Sequence, residues 1–526
     1  MHKPRHIPGR VLFRRGLRWL STAAAGLALC AGPALAVPDQ QSVALARQLA
    51  QLEGQLAAAA ATQTADTAAP VLSVAALVAA AGLTDLVGPE GAAHITTSPT
   101  PVGQADAVAV ERLNMRLALT MLSQAYGSED NNDVLAAQTM PDQDALVIRK
   151  GRLTLTDLRA VLQDNRLQRV EAGGPLVLTV PLVIWAGASL QLRPGDVLHL
   201  SRPDGAFVMN FGHLDVQGGM IAATGGENPR SRDFIPFVTT ADGGTVQMQG
   251  TVVSGLGFGR TLKFAGFAVM RNSLRSAGPE SWIEASTFRD LISVAVSAAG
   301  DLTLRGNHFR DMRGSALIVS RSRGTQVIGN LFSGTLPTNA IVLEQGAAKG
   351  VVAGNIVLGG QRAGIVVRGG SSGVQVSHNI IWHRDGAGIV LSKSDCGRIE
   401  GNLVIENAQK GIEVRDSRGA AVQGNAVMSN HSAGIWVSDQ PKGAETLLAG
   451  NLLVGNGSGL AAAAGESLRL EGNDFTRQFP QFLSGDLAPQ SAQIARNLRG
   501  DAPFILTAGG PAGLVTVAAT PAACSE

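Results

Sequence analysis

Residues 354–368 read Gly354-Asn355-Ile356-Val357-Leu358-Gly359-Gly360-Gln361-Arg362-Ala363-Gly364-Ile365-Val366-Val367-Arg368. An asparagine behind a glycine opens one β-branched run, and a glycine-rich turn leads to a second. The pattern recurs on both sides. Asn307, Asn330, Asn355, Asn379, Asn402, Asn425, Asn451 and Asn473 are spaced by 23, 25, 24, 23, 23, 26 and 22 residues. In step with them, Ala316-Leu317, Ala340-Ile341, Gly364-Ile365, Gly388-Ile389, Gly411-Ile412, Gly434-Ile435 and Gly459-Leu460 each open a short apolar run. A period in the twenties marks a solenoid, whose units stack because none buries its apolar face alone.

β-branched runs bounded by Gly, Ser and Asn are strands of about four to six residues. Each coil then holds roughly three short strands and three turns, with coils about 4.8 Å apart through parallel pairing. This predicts an all-β fold, a single-stranded parallel β-helix over residues 144–485, right-handed by the general handedness of parallel crossovers. Asn tolerates the left-handed backbone of sharp turns, and stacked amides hydrogen-bond from coil to coil. A leucine-rich repeat shares the period, but its Leu-x-x-Leu-x-Leu signature is absent from the sequence.

The 526 residues include 64 Gly, 15 Phe, 5 Trp and one Tyr, a balance suited to many tight turns around a small-aliphatic core. A formal net charge of +2 gives no support to nucleic-acid binding, which would show a basic cluster. Arg14, Arg15 and Arg18 precede the apolar segment Trp19 to Leu35, and Ala34-Leu35-Ala36 has the form of an export cleavage site. Residues 1–36 are therefore expected to be a Sec signal peptide cleaved after Ala36, leaving a periplasmic or secreted protein. Arg14-Arg15 also resembles a twin-arginine signal, Cys30 sits in a poor lipobox, and an uncleaved anchor is the competing reading. No other apolar run reaches the roughly 18 residues of a membrane span.

Two readings of the remaining cysteines, Cys396 and Cys524, stand open: a disulfide pinning the C-terminal tail to the coils, or two unpaired small residues. No Cys or His spacing matches a metal site and no cofactor motif is present, so neither is expected. Residues 37–143 form an Ala-rich linker region with helical periodicity over Val43 to Ala60 and Ala107 to Ala125. Thr154 and Asp157 have capping-box spacing for a short helix carrying Leu158, Val161 and Leu162, placed to cover the first open strand edge. Residues 486–526 are expected to be a cap and tail.

The order Leu146-Val147-Ile148, Leu153-Thr154-Leu155-Thr156-Asp157-Leu158, Gly205-Ala206-Phe207, Phe234-Ile235-Pro236-Phe237, Gly243-Gly244-Thr245 and Gly255-Leu256-Gly257-Phe258, followed by the Asn coils, resembles the periplasmic mannuronan C5-epimerases. The resemblance spans roughly residues 145–430. It implies a right-handed β-helix with an N-terminal capping segment, an acidic exopolysaccharide as partner, and a place beside periplasmic export proteins. The family's Asp-Pro-His-Asp motif, whose His is held to be the base, aligns with Ile318-Val319-Ser320-Arg321. Gln345 stands at its substrate-binding Arg, and Gly359-Gly360 at a further His. No family catalytic residue carries over, so the catalytic motif reads as lost.

Uronate epimerisation or β-elimination needs a cation or donors at the carboxylate, a base for the C5 proton and an acid to return one. The densest cluster of candidates is Arg362, Arg368, His383, Arg384, Asp385, Lys393 and Arg415 over three adjacent coils. In it His383 is the candidate base, and the others bind substrate because Arg forks match carboxylates. The plain alternative is the mixed charge of any β-helix surface: residues 301–440 hold 14 Lys and Arg against 10 Asp and Glu, too small an excess to mark a strip. Trp382 and Trp436 fit sugar stacking or packing equally well. Two functions follow. One is a scaffold that binds or guards an acidic exopolysaccharide without turnover; the other is an epimerase or lyase with a rebuilt site around His383.

Overall fold

The computed structural model describes residues 39–61, 72–92, 108–126, 131–140, 142–164, 168, 173–271, 280–507, 513–514 and 524. The expected export signal, with Cys30 and Ala36, lies outside them. The described chain winds into a right-handed parallel β-helix in which each short strand pairs with its equivalent one coil on.

Each regular coil contributes three strands. One coil supplies Ile365–Arg368 to what we call the open face, Gln375–Ser377 to the base face and Ile380–Trp382 to the helix-covered face. Register is kept without slippage on the open face, where Leu317, Ile341, Ile365, Ile389, Ile412 and Ile435 stack pointing inward. Strand alternation sends these side chains into the single continuous core.

The asparagine ladder turns the corner between the base and helix-covered faces. Asn379 Nδ2 donates to Oδ1 of Asn402 at 2.9 Å, and the backbone N–H of Asn379 donates to the same oxygen at 2.9 Å. The ladder repeats these bonds from Asn307 to Asn451, each amide donating to the next coil, and the last rung, Asn473, donates Nδ2–H back to the Leu448 carbonyl at 2.7 Å.

Among the described residues six helices lie in the N-terminal third of the chain: α1 Gln40–Ala61, α2 Val74–Ala80, α3 Gly88–Ala92, α4 Met115–Tyr126, α5 Asn132–Ala136 and α6 Leu155–Asp164. The capping box forms at α6, where the Thr154 N–H donates to Asp157 Oδ2 at 2.9 Å and the Asp157 N–H donates to Thr154 Oγ1 at 3.2 Å. Leu155, Leu158 and Leu162 are buried against the first coil. The helix expected over Ala107 to Ala125 begins only at Met115. Ala109–Asn114 is instead a strand, antiparallel to Asp144–Lys150, which covers an edge that the helix reading left open.

Helix α1 is a strap along the helix-covered face. Its 22 residues, about 33 Å at 1.5 Å each, match about seven coils. Arg477 Nη1 meets Asp39 at 3.0 Å at one end, and Ala61 reaches the level of Arg310 and Ser333 at the other. Between these ends Leu49, Leu52 and Leu56 pack on Ile356, Ile380, Trp382 and Leu403. At the far end of the solenoid, Phe504–Thr507 pairs antiparallel with Ser467–Glu471 and stops the parallel stacking. Cys396 and Cys524 are disulfide-bonded, which ties the tail to a turn of the coils.

Candidate functional site

The early coils of the open face are covered by α4 and a phenylalanine cluster. Further along, its outward positions carry Ala295, Ile318, Val342, Val366, Val390, Glu413 and Trp436, one per coil. Val342 and Val366 pack with Ala363 and Ala387 from the preceding turns, giving an aliphatic strip along the solenoid axis. Two residues on, the next outward column reads Ser297, Ser320, Glu344, Arg368, Ser392, Arg415 and Ser438.

The cations of this second column are matched by carboxylates. Arg368 Nε donates to Glu344 at 2.9 Å, and Arg415 Nη2 lies 2.8 Å from Asp439. Beside them, Lys410 Nζ is 3.1 Å from Glu413 and 5.1 Å from the centre of the Trp436 ring, a cation–π contact. Arg362, Lys393 and Asp385 are exposed on the flanking turns.

Arg384 is withdrawn from the expected cluster: its side chain does not face solvent but is 1% exposed inside the turn. Its Nε donates to the Arg362 carbonyl at 2.7 Å, and its Nη2 donates to the carbonyls of Thr338 at 2.6 Å and Ala363 at 3.2 Å. Nη1 donates to the Gly359 carbonyl. Burial pushes the guanidinium pKa down to about 10, offset in part by Asp385. With four of its five N–H donors committed to backbone carbonyls inside the turn, this buried side chain is not placed to meet a polymer carboxylate, which corrects its reading as a substrate ligand.

His383 is also separated from the cations. It follows the helix-covered strand directly, with left-handed backbone at φ 57°, and its ring contacts Trp382 at 5.2 Å. Between it and Lys393 runs the whole open-face strand Ile389–Ser392, about 13 Å long. The cluster thus divides into an open-face set (Arg368, Lys393, Arg415) and a turn set (Arg362, His383, Asp385). Trp382 lies under α1 and donates Nε1–H to Glu406 at 3.0 Å, leaving Trp436 as the aromatic on the open face. Glu413 and Lys410 were missed as a pair beside Trp436. Their signal was the break at Glu413 in an otherwise aliphatic outward column.

Among the described residues no group of three His, Cys, Asp or Glu side chains is placed to hold a metal, and no helix is long and apolar enough to cross a membrane.

A family model described as "Right handed beta helix region" matches residues 238–381, 291–446 and 361–475. No curated protein sequence matches significantly. Among solved structures, the periplasmic alginate epimerase AlgG superposes with a TM-score of 0.60 at 19% identity, over 74% of this chain and 100% of that one. A variant of the same epimerase gives 0.61 at 20% identity, over 72% and 94%. The A-module of an Azotobacter vinelandii mannuronan C-5 epimerase reaches only 0.38 at 13% identity, over 56% and 89%. At about 20% identity the likeness to AlgG is one of fold: this chain has the right-handed β-helix architecture that AlgG has.

Proposed function

We propose that this chain is an exported, epimerase-like β-helix protein that binds and guards an acidic exopolysaccharide along its open face in the periplasm, without epimerase-type turnover. The observation that carries this reading is the aliphatic column Ile318, Val342, Val366 and Val390. It runs where a polymer would lie and contains no group able to take or return a proton. Support for an acidic polymer comes from the fold shared with a periplasmic alginate epimerase and from the guanidinium groups of Arg368 and Arg415 at the strip's edge. Lys393 extends the same basic margin from the adjoining turn, and Arg362 lies on the turn at the strip's other edge.

A second reading rests on one constellation, Lys410 and Glu413 beside Trp436. An ammonium–carboxylate pair at an aromatic platform could serve a C5-epimerase or lyase with a rebuilt site. One experiment separates the two. Mannuronan is incubated with the protein in deuterated water and C5 is read by NMR, with salt-dependent binding measured in parallel. The scaffold reading expects binding that weakens with salt and no deuterium at C5. Deuterium at C5, or new unsaturated ends, overturns it in favour of catalysis, and loss of that signal in Glu413→Gln locates the rebuilt site. Absence of both binding and exchange sinks both readings.

A further inference from the structure

The helix-covered face carries a second feature unrelated to the open strip. For five successive coils its outward pairs are apolar: Ile356 and Leu358, Ile380 and Trp382, Leu403 and Ile405, Ala426 and Met428, Leu452 and Val454. Beneath the C-terminal half of α1 this changes. The pairs become Leu331 and Ser333, then His308 and Arg310. Over the same stretch α1 keeps Leu56 but otherwise presents the small residues Gly54, Ala57, Ala60 and Ala61. A small-residue roof over a polar floor leaves a cleft of about 660 Å³, within the range of roughly 300–1,000 Å³ usual for ligand sites.

On the floor His308 and Ser333 are paired with each other, but the Arg310 guanidinium is not matched. Arg310 is only 8% exposed, yet its Nε has no hydrogen-bond partner, and the nearest carboxylate oxygen, on Asp311, is 3.8 Å away. Leaving a buried charged donor unmatched costs more than one hydrogen bond contributes, so such groups mark a place where an acceptor is expected. His308 Nε2 is 2.8 Å from Ser333 Oγ. Burial, reinforced by Arg310, pushes the imidazole down to about 3, so it adds no charge and is too weak a base to activate the serine. Glu53 and Asp311 line the same cleft.

With one guanidinium against two carboxylates the cleft has an excess of negative charge, which disfavours a uronate or any other anion. A hydroxyl suits it better, because it accepts from the Arg310 guanidinium while donating to Asp311 or Glu53. Two vicinal hydroxyls satisfy both kinds of group at once. We infer that this cleft between α1 and the coils binds a neutral sugar unit, its vicinal diol on Arg310 and Asp311 and its apolar face against the alanine roof of α1. The site lies on a different face from the strip and stands or falls independently of the polysaccharide reading above.

The test is saturation-transfer NMR on the intact mature protein with four neutral probes: the methyl glycosides of glucose, galactose, mannose and rhamnose. Methyl glucuronoside is the anionic comparator. At least one neutral glycoside should receive saturation, at least threefold more strongly than the glucuronoside. Gly54→Trp plugs the cleft from the roof, where an added Cβ meets nothing within 4 Å, and should abolish the transfer with α1 still helical. Arg310→Met should reduce it at least fivefold. No transfer from any neutral probe overturns the inference, as does equal or stronger transfer to the glucuronoside, or a signal that survives Gly54→Trp.

Discussion

Arg384 donates its backbone N–H to Oδ1 of Asn407, one coil on, at 3.0 Å. Asn407 in turn donates Nδ2–H to Asn430 at 2.9 Å, Asn430 to Asn456 at 2.9 Å, and Asn456 to Gln478 at 3.0 Å. A second amide ladder therefore climbs the solenoid at the corner between the helix-covered and open faces, and Arg384 is its first rung. The guanidinium replaces the amide of one further rung by reaching the turn carbonyls itself.

Arg384→Leu should accordingly cost about 3 kcal/mol or more, since it leaves several buried carbonyls unpaired. Arg384→Asn, which continues the ladder, should recover a substantial part of that loss. Urea midpoints of the two variants check this, and equal stabilities would show that the ladder position is immaterial.

The second ladder was readable in part. Arg384, Asn407, Asn430 and Asn456 are spaced by 23, 23 and 26 residues, the same intervals as Asn379, Asn402, Asn425 and Asn451. The first ladder shows in the sequence because Gly-Asn recurs at every rung but one, Asn379, which follows His378. The second is obscured because it opens with an arginine, a residue type that alone reads as a surface cation. Similarly, α1 was legible as a helix but its berth was not. Ile356-Val357-Leu358, Ile380-Ile381-Trp382 and Leu403-Val404-Ile405 are uninterrupted apolar triplets, and a strand apolar on both faces is covered on both faces. The site was less legible because one strand length separates His383 from Lys393, a distance that residue counting does not convey.

Leu49 is fully buried between α1 and the coils. Leu49→Asp should release the strap, because an unpaired carboxylate cannot stay at an apolar interface. Amide exchange across Gln40–Ala61 should then rise while the coil amides stay protected. The uncovered stripe of Ile356, Ile380 and Leu403 should drive self-association, visible by sedimentation. Unchanged exchange in α1 would mean that the contact is not what holds it.

His308 gives stability a pH dependence with a definite sign. Its folded pKa is lowered by burial to about 3 from the ordinary 6.5, so it stays neutral in the fold while the unfolded chain takes up a proton. Its contribution is complete above pH 6.5 and is lost as pH falls from there toward 3, by up to about 1.4 kcal/mol per pH unit. His308→Gln, which keeps a polar partner for Ser333 and does not titrate, should flatten the stability profile between pH 6 and about 4. An unaltered slope would assign acid sensitivity to other groups.

On the open face, Arg368 is held by Glu344 at 2.9 Å, a pair in which the arginine is about half exposed. A polyuronate approaching Arg368 meets that carboxylate as well, so the arginine offers only part of its charge. Glu344→Gln removes the competitor and keeps the side chain's shape. It should tighten binding of a polyuronate by about two- to fivefold at low salt, the effect of removing one screened like charge worth up to about 1 kcal/mol. Arg368→Gln should weaken binding and lower its salt dependence, because fewer carboxylates of the polymer are then matched by the protein. His383→Ala, on the turn beyond the strand, should change neither. Affinities measured by calorimetry at two salt concentrations check all three variants together. If Glu344→Gln leaves binding unchanged while Arg368→Gln abolishes it, the ion pair opens on contact and Glu344 does not compete. If His383→Ala alone weakens binding, the polymer runs over the turn and not along the aliphatic strip.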